Sequence, residues 1–191
     1  MPLRLAPIVT SCVTLAVAVA GCGGGNERQD ADEPSGTWDV EVTEAEFPAK
    51  QNIAKQETMR IAVRNAGDEE IPNLAVTVDS FTRRSEQADL SDPTRPVWIV
   101  DDSPRGGTTA YTNTWALGRV PAGETKTFEW KVTPVVAGDH EITYRVSAGL
   151  DGKAKARVSS GGRPEGSFAV SVSRRPAKAR VNPDTGEVER R

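Results

Sequence analysis

KTFEWKVT (Lys126–Thr133) alternates without a break: Lys126, Phe128, Trp130 and Val132 fall on one side, Thr127, Glu129, Lys131 and Thr133 on the other. A period of two is the pitch of a β-strand with one buried and one wet face, whereas a helix repeats at 3.6 residues. Working outward, WDVEVTE sets Trp38, Val40 and Val42 against Asp39, Glu41 and Thr43. TMRIAVRN sets Met59, Ile61 and Val63 against Arg60 and Arg64, and HEITYRVSAGL sets Ile142, Tyr144, Val146 and Ala148 against Glu141, Thr143 and Arg145. Weaker strands are predicted at Leu74–Val78, Val97–Val100, Tyr111–Leu117, Ala154–Val158 and Phe168–Val172.

The punctuation suits strands. NAGDEE (Asn65–Glu70), VPAGET (Val120–Thr125), VAGDH (Val136–His140) and LDGK (Leu150–Lys153) each offer Gly, Asn, Asp or Pro for turn conformations that other residues resist. No stretch keeps a helical apolar period between these breaks. Short strands, frequent turns and alternating faces together predict an all-β fold, an antiparallel sandwich of about seven to nine strands over residues 37–173.

VRNAGDEEIPNLAVTV, LGRVPAGETKTFEWKV and AGDHEITYRV, taken together, resemble the bacterial immunoglobulin-like modules of the CARDB-type, cell-adhesion-related group. The resemblance covers roughly Glu57 to Val146 and rests on an Asn-x-Gly turn followed by a Pro-x-Gly-Glu-Thr turn. It implies an immunoglobulin-like sandwich that binds a partner. Tyr144 stands where such folds carry a tyrosine corner, and Val146 occupies the place of the second bridging cysteine of antibody-type domains. That replacement excludes the inter-sheet disulfide.

Two connections lie outside the resemblance, Arg83–Pro96 and Asp101–Trp115, and long loops on a rigid scaffold are frequent carriers of function. Trp98 and Trp115 flank the second. They are readable as core or rim residues, or as an exposed stacking platform for a sugar, with Asp101, Asp102 and Tyr111 completing a ligand or partner loop. Asp101 and Asp102, with Asp79 or Asp151 near in space, supply some of the six to eight oxygens that calcium takes, but without the ordered spacing of a calcium loop. His140 is the single histidine, so an imidazole metal cluster is excluded and any Ser-His-Asp triad would have to pass through it. No Gly-x-Ser-x-Gly elbow is present. The expectation is a protein with no cofactor, no bound metal and no catalytic residue.

The N-terminal stretch has its own logic. Arg4, the apolar residues 5–20 and the small Val19-Ala20-Gly21 form an export signal, 1–21, too short and too broken by Pro7 for a membrane span. Val19-Ala20-Gly21-Cys22 resembles the lipobox of bacterial lipoproteins. The resemblance implies a diacylglyceryl group on the Cys22 thiol, cleavage that leaves Cys22 first in the mature chain, and a lipid anchor on the outer side of the cell membrane. Of the two cysteines, Cys12 leaves with the signal, so no internal disulfide is possible.

Residues 22–36 are small, acidic and almost free of apolar side chains, the composition of a flexible tether averaging about 20 Å. The triple glycine there lacks the Gly-Lys-Ser/Thr of a phosphate loop. The whole chain counts 24 basic and 27 acidic residues, a net −3, and loss of Arg4 makes the mature net −4. Nucleic acid is therefore not an expected partner. The tail 174–191 carries six basic and three acidic residues about VNPDTGEV, a turn sequence suited to a hairpin. It is expected to pack on a sandwich edge or to touch anionic headgroups near the anchor. The expected function is that of an envelope lipoprotein binding a protein or cell-wall partner, with small-ligand or sugar binding as the alternative.

Overall fold

The computed structural model describes residues 30, 32–79, 81, 96–176, 178–186 and 188–190. Cys22, the lipobox and all but Pro96 of the Arg83–Pro96 connection lie outside the described residues. Every regular element described is a strand: β1 (Gly36–Glu46), β2 (Lys50–Asn52), β3 (Glu57–Asn65), β4 (Ala75–Val78), β5 (Trp98–Asp102), β6 (Thr108–Tyr111) and β7 (Thr114–Ala116). These are followed by β8 (Thr125–Pro134), β9 (Gly138–Ser147), β10 (Ala154–Arg157), β11 (Glu165–Ser173), β12 (Ala179–Val181) and β13 (Val188–Arg190).

Two sheets form the sandwich, one ordered β10-β1-β3-β8-β5 and the other β2-β11-β9-β4-β7-β6, while β12 and β13 pair only with each other. The fold class is as expected, but the strands are more numerous and the sheets are mixed. β10 joins β1 in parallel, with Gly36 opposite Ala154, and β2 joins β11 in parallel, with Lys50 opposite Ser171. The predicted strand over Tyr111–Leu117 is in fact a tight hairpin, because Asn113 adopts a positive φ of 62° between Tyr111 and Thr114. Asparagine is among the few residues with a side chain that adopt that conformation readily.

The alternation read from KTFEWKVT is realised in the packing. Phe128, Trp130 and Val132 are buried on β8 while Thr127 is exposed and Glu129, Lys131 and Thr133 stay partly exposed. Met59, Ile61 and Val63 on β3 and Ile142, Tyr144 and Val146 on β9 meet them from either side. Each fully buried side chain of this size contributes about 1.5–3 kcal/mol. Phe81, Trp115, Trp130 and Phe128 run together through edge-to-face and stacked contacts with centroids 5.5–6.2 Å apart.

On the wet face of the first sheet, charges are matched across strands. Arg60 bonds Glu129 at 2.7 Å, Arg64 bonds Glu41 at 2.6 Å, Arg157 bonds Asp39 at 2.8 Å and Lys131 meets Asp102 at 3.6 Å. All four are direct cross-strand partners, the positions at which opposite charges interact best. Glu129 raises the Arg60 pKa above its ordinary range by hydrogen bonding and by its charge. Each such exposed pair is worth at most about 1 kcal/mol, so their main effect is to leave this face polar and self-neutralised.

Asn65 ties together the two turns whose sequences carried the family resemblance. It is completely buried, and its amide donates to the Glu69 carbonyl at 2.8 Å and the Val120 carbonyl at 2.9 Å. Its side-chain oxygen accepts from the Gly67 amide at 3.0 Å, and its own backbone exchanges hydrogen bonds with Glu124 and Gly123 of the other turn. A buried amide is tolerable only when its polar atoms are paired, and here they are.

Candidate functional site

The loop residues singled out from sequence do not form an exposed binding platform. Trp98 is 1% exposed and Trp115 is 5% exposed, which removes the stacking surface proposed for a sugar. Trp98 donates its indole N–H to the buried Gln51 at 2.8 Å, abuts Phe47 and meets the His140 ring edge-on at 5.6 Å. Trp115 donates to the Ser103 hydroxyl at 3.2 Å and packs on Trp130 and Phe81. Core packing wins because both indoles find hydrogen-bond partners, Gln51 inside and Ser103 at the surface, so their large apolar rings are buried without stranding an N–H.

Asp101 and Asp102 are likewise occupied. The register of β5 against β8 slips between Val100 and Asp102, which leaves Asp101 as the bulged residue. Its carboxylate accepts from the Thr133 hydroxyl at 2.6 Å and from the Gln56 amide at 3.1 Å. Asp79 pairs with Arg145 and Asp151 with Lys153, so the acids considered for calcium are dispersed. Among the described residues no group of three or more His, Cys, Asp or Glu side chains is placed to hold a metal. Asp102, Ser103, Arg105, Thr127, Glu129 and Lys131 line a shallow cleft of about 450 Å³ over β5 and β8. The carboxylates of Asp102 and Glu129 already face Lys131 and Arg60.

His140 is half-buried, with Nε2 3.1 Å from the Val136 carbonyl, and so braces its own turn. Tyr144 makes no tyrosine corner. It lies opposite Gly166 with its ring stacked on Phe168 at 5.6 Å, and no hydrogen bond from its hydroxyl to upstream backbone occurs among the described residues. A Cβ on residue 166 would sit 2.7 Å from that hydroxyl, so glycine is what admits the ring. Burial pushes the phenol pKa above its ordinary 10.0.

Two further features lie apart from these residues, and only the first escaped sequence reading. The first lies in the segment expected to be free through Gly36. Its Asp30 is buried and accepts from the Tyr111 hydroxyl at 2.7 Å. Glu33 inserts its carboxylate into the loop that follows β9, where it accepts backbone N–H groups from Leu150, from Asp151 at 2.7 Å and from Ala154 at 2.7 Å. A Cβ on Gly149 would collide with that carboxylate, so residue 149 must be glycine for the acid to enter. Three backbone donors converging on one carboxylate make a strong local contact. No sequence signal announced it, because the partners are main-chain groups over 110 positions away.

The second feature is the hairpin of β12 and β13. Val181 and Val188 are cross-strand partners and are 60% and 57% exposed. The turn is closed by the Asn182 side chain, which accepts from Asp184 at 2.9 Å and Thr185 at 3.3 Å, and by Gly186 donating to the Asn182 carbonyl at 2.9 Å. The hairpin forms as its sequence suggests, and among the described residues its strands pair with neither edge of the sandwich.

No family model matches this chain, and no curated protein does. Among solved structures it is similar to the CARDB domain of a Pyrococcus furiosus protein, crystallised in complex with di-metal ions. That likeness has 18% identity and a TM-score of 0.46, covering 73% of this chain and 92% of that one. It is also similar to Escherichia coli alpha-2-macroglobulin from domain MG7 to the C-terminus, with 14% identity, a TM-score of 0.46 and coverage of 78% of this chain and 21% of that one. A PapD-like domain of human CEP192 shows 11% identity and a TM-score of 0.39, over 92% of this chain and 99% of the other.

Proposed function

We propose that this chain is a lipid-anchored cell-envelope protein, held at the membrane surface by acyl chains on Cys22, whose immunoglobulin-like module acts by binding a protein or cell-wall partner rather than by catalysis. The observation that carries the reading is the seat of Asp30 and Glu33 on the sandwich. Seven residues, 23–29, separate Cys22 from Asp30. Eight Cα steps reach at most about 28 Å. An acylated Cys22 therefore keeps one end of the module within about its own length of the bilayer, and two acyl chains make such an anchor stable.

Binding rather than chemistry is supported by how the polar groups are used. His140 braces a turn, Asp101 and Asp102 are held by neighbouring strands, and the buried indoles stabilise the core. The test is the mass and fractionation of the protein from its native cells beside Cys22→Ala. A diacylglyceryl adduct on the wild type, and release of the variant from the membrane fraction, are expected. A Cys22→Ala protein that stays membrane-bound with no lost adduct overturns the anchor. In-cell crosslinking from residues of the wet faces tests the second half, and a protein recovered only as uncrosslinked monomer overturns binding.

A further inference from the structure

The C-terminal hairpin stands out once the charges of the sandwich are accounted for. Arg60, Arg64, Arg119, Lys131, Arg145, Lys153 and Arg157 each sit against a carboxylate. Arg174, Arg175, Lys178 and Arg180 are exposed, and none of the ion pairs among the described residues involves them. The valine pair on the adjoining ribbon is the most exposed large apolar surface among the described residues. Directly opposed residues on an antiparallel pair project from the same face, so Val181 and Val188 form one apolar spot. An isolated two-stranded hairpin is marginal in water and gains from a surface that covers one face.

Its place in the fold is set by β9. The Gly138 end of β9 pairs with Val172, one residue before β11 ends and the hairpin stem begins. The Ser147 end leads into the loop that receives Glu33. Ten residues of strand, about 30 Å, therefore separate the point where the N-terminal segment joins the sandwich from the point where the hairpin leaves it.

We propose that this hairpin is a second membrane contact, docking on anionic lipid headgroups through its exposed cations and seating Val181 and Val188 at the headgroup boundary. Cations beside a small apolar face are the combination that an anionic bilayer surface rewards. The expectation of contact close to the anchor changes accordingly. With attachments at opposite ends, the sandwich lies with its long axis along the bilayer and turns one flank of both sheets outward. The inference draws on the lipid-anchor reading only for the nearness of the membrane.

The test leaves acylation out, so failure of the anchor and failure of the hairpin are distinguishable. The chain from residue 22 onward, carrying Cys22→Ala, is sedimented with vesicles of phosphatidylcholine alone and of phosphatidylcholine with 30% phosphatidylglycerol. Binding to the anionic vesicles only, weakened in 0.5 M salt, is expected. Replacing Arg174, Arg175, Lys178 and Arg180 by Ala should lower partition by about fivefold for each cation removed. Val181→Ser with Val188→Ser should lower it further at unchanged salt dependence. Truncation after Ser173 should abolish binding while leaving the thermal midpoint of the sandwich in place, since the hairpin belongs to neither sheet. Equal binding to both vesicle types, no binding to either, or anionic binding that survives the truncation each overturns the proposal.

Discussion

Glu33 and Gly149 form a pair whose energetics can be worked from the structure. The Glu33 carboxylate accepts three backbone N–H groups from the loop after β9, and it lies where a side chain on residue 149 would project. A net hydrogen bond contributes about 0.5–1.5 kcal/mol, more when the acceptor is charged. The site is only part-buried, so water can replace some of what is lost, and Glu33→Ala is expected to cost about 2–3 kcal/mol. Glu33→Gln keeps one acceptor oxygen but turns an N–H group toward the donors, and about half that cost is expected.

Gly149→Ala alone should cost about 1–3 kcal/mol, because the new methyl must displace the carboxylate from its seat. Combined with Glu33→Ala, the same methyl meets little, so the double variant should be no less stable than Glu33→Ala by more than about 0.5 kcal/mol. Urea unfolding of the four chains gives the coupling energy. Amide exchange at Leu150, Asp151 and Ala154 should accelerate in Glu33→Ala while the β3–β8 ladder stays protected. Additive single-variant costs, or unchanged exchange at those three amides, would refute the reasoning.

Three further outcomes follow from the same geometry. Asn65→Ala removes three hydrogen bonds from a completely buried position and should destabilise the fold by about 2–4 kcal/mol in urea unfolding, with shifts at Gly67 and Val120 in amide spectra. Tyr144, one of two tyrosines, has a raised folded-state pKa, so its neutral burial contributes stability fully below pH 10 that is lost as pH rises through the folded value. In Tyr111→Phe, the single remaining phenol should ionise above its ordinary range and together with unfolding. Trp98, Trp115 and Trp130 are all 5% exposed or less while Trp38 is partly exposed, so in Trp38→Phe iodide should quench little of the folded-state emission, and soluble oligosaccharides should leave that emission unchanged.

The strands, the faces they bury and the turns between them were legible because alternation is a local property. Phe128, Trp130 and Val132 could be assigned inward from eight residues, without reference to any other strand. The same locality explains the partial failures. Trp98 and Trp115 looked alike as core or as platform, since an indole suits either until Gln51 and Ser103 are known to lie beside its N–H. The acids Asp101 and Asp102 gave no hint that one would bond Thr133 and the other pair with Lys131.

Residues 30–36 read as a free acidic leader because composition registers what a segment lacks and says nothing of distant main-chain donors. By itself, then, the sequence determined an all-β chain with alternating faces and two cysteines, both in its N-terminal stretch. Only the tertiary structure decided the parallel joins that mix the two sheets, the cross-strand cancellation of surface charge, the seat of Glu33 and the place of the C-terminal hairpin outside both sheets. Each of these depends on groups far apart in the chain meeting within a few ångströms, and on backbone donors that no side-chain pattern encodes.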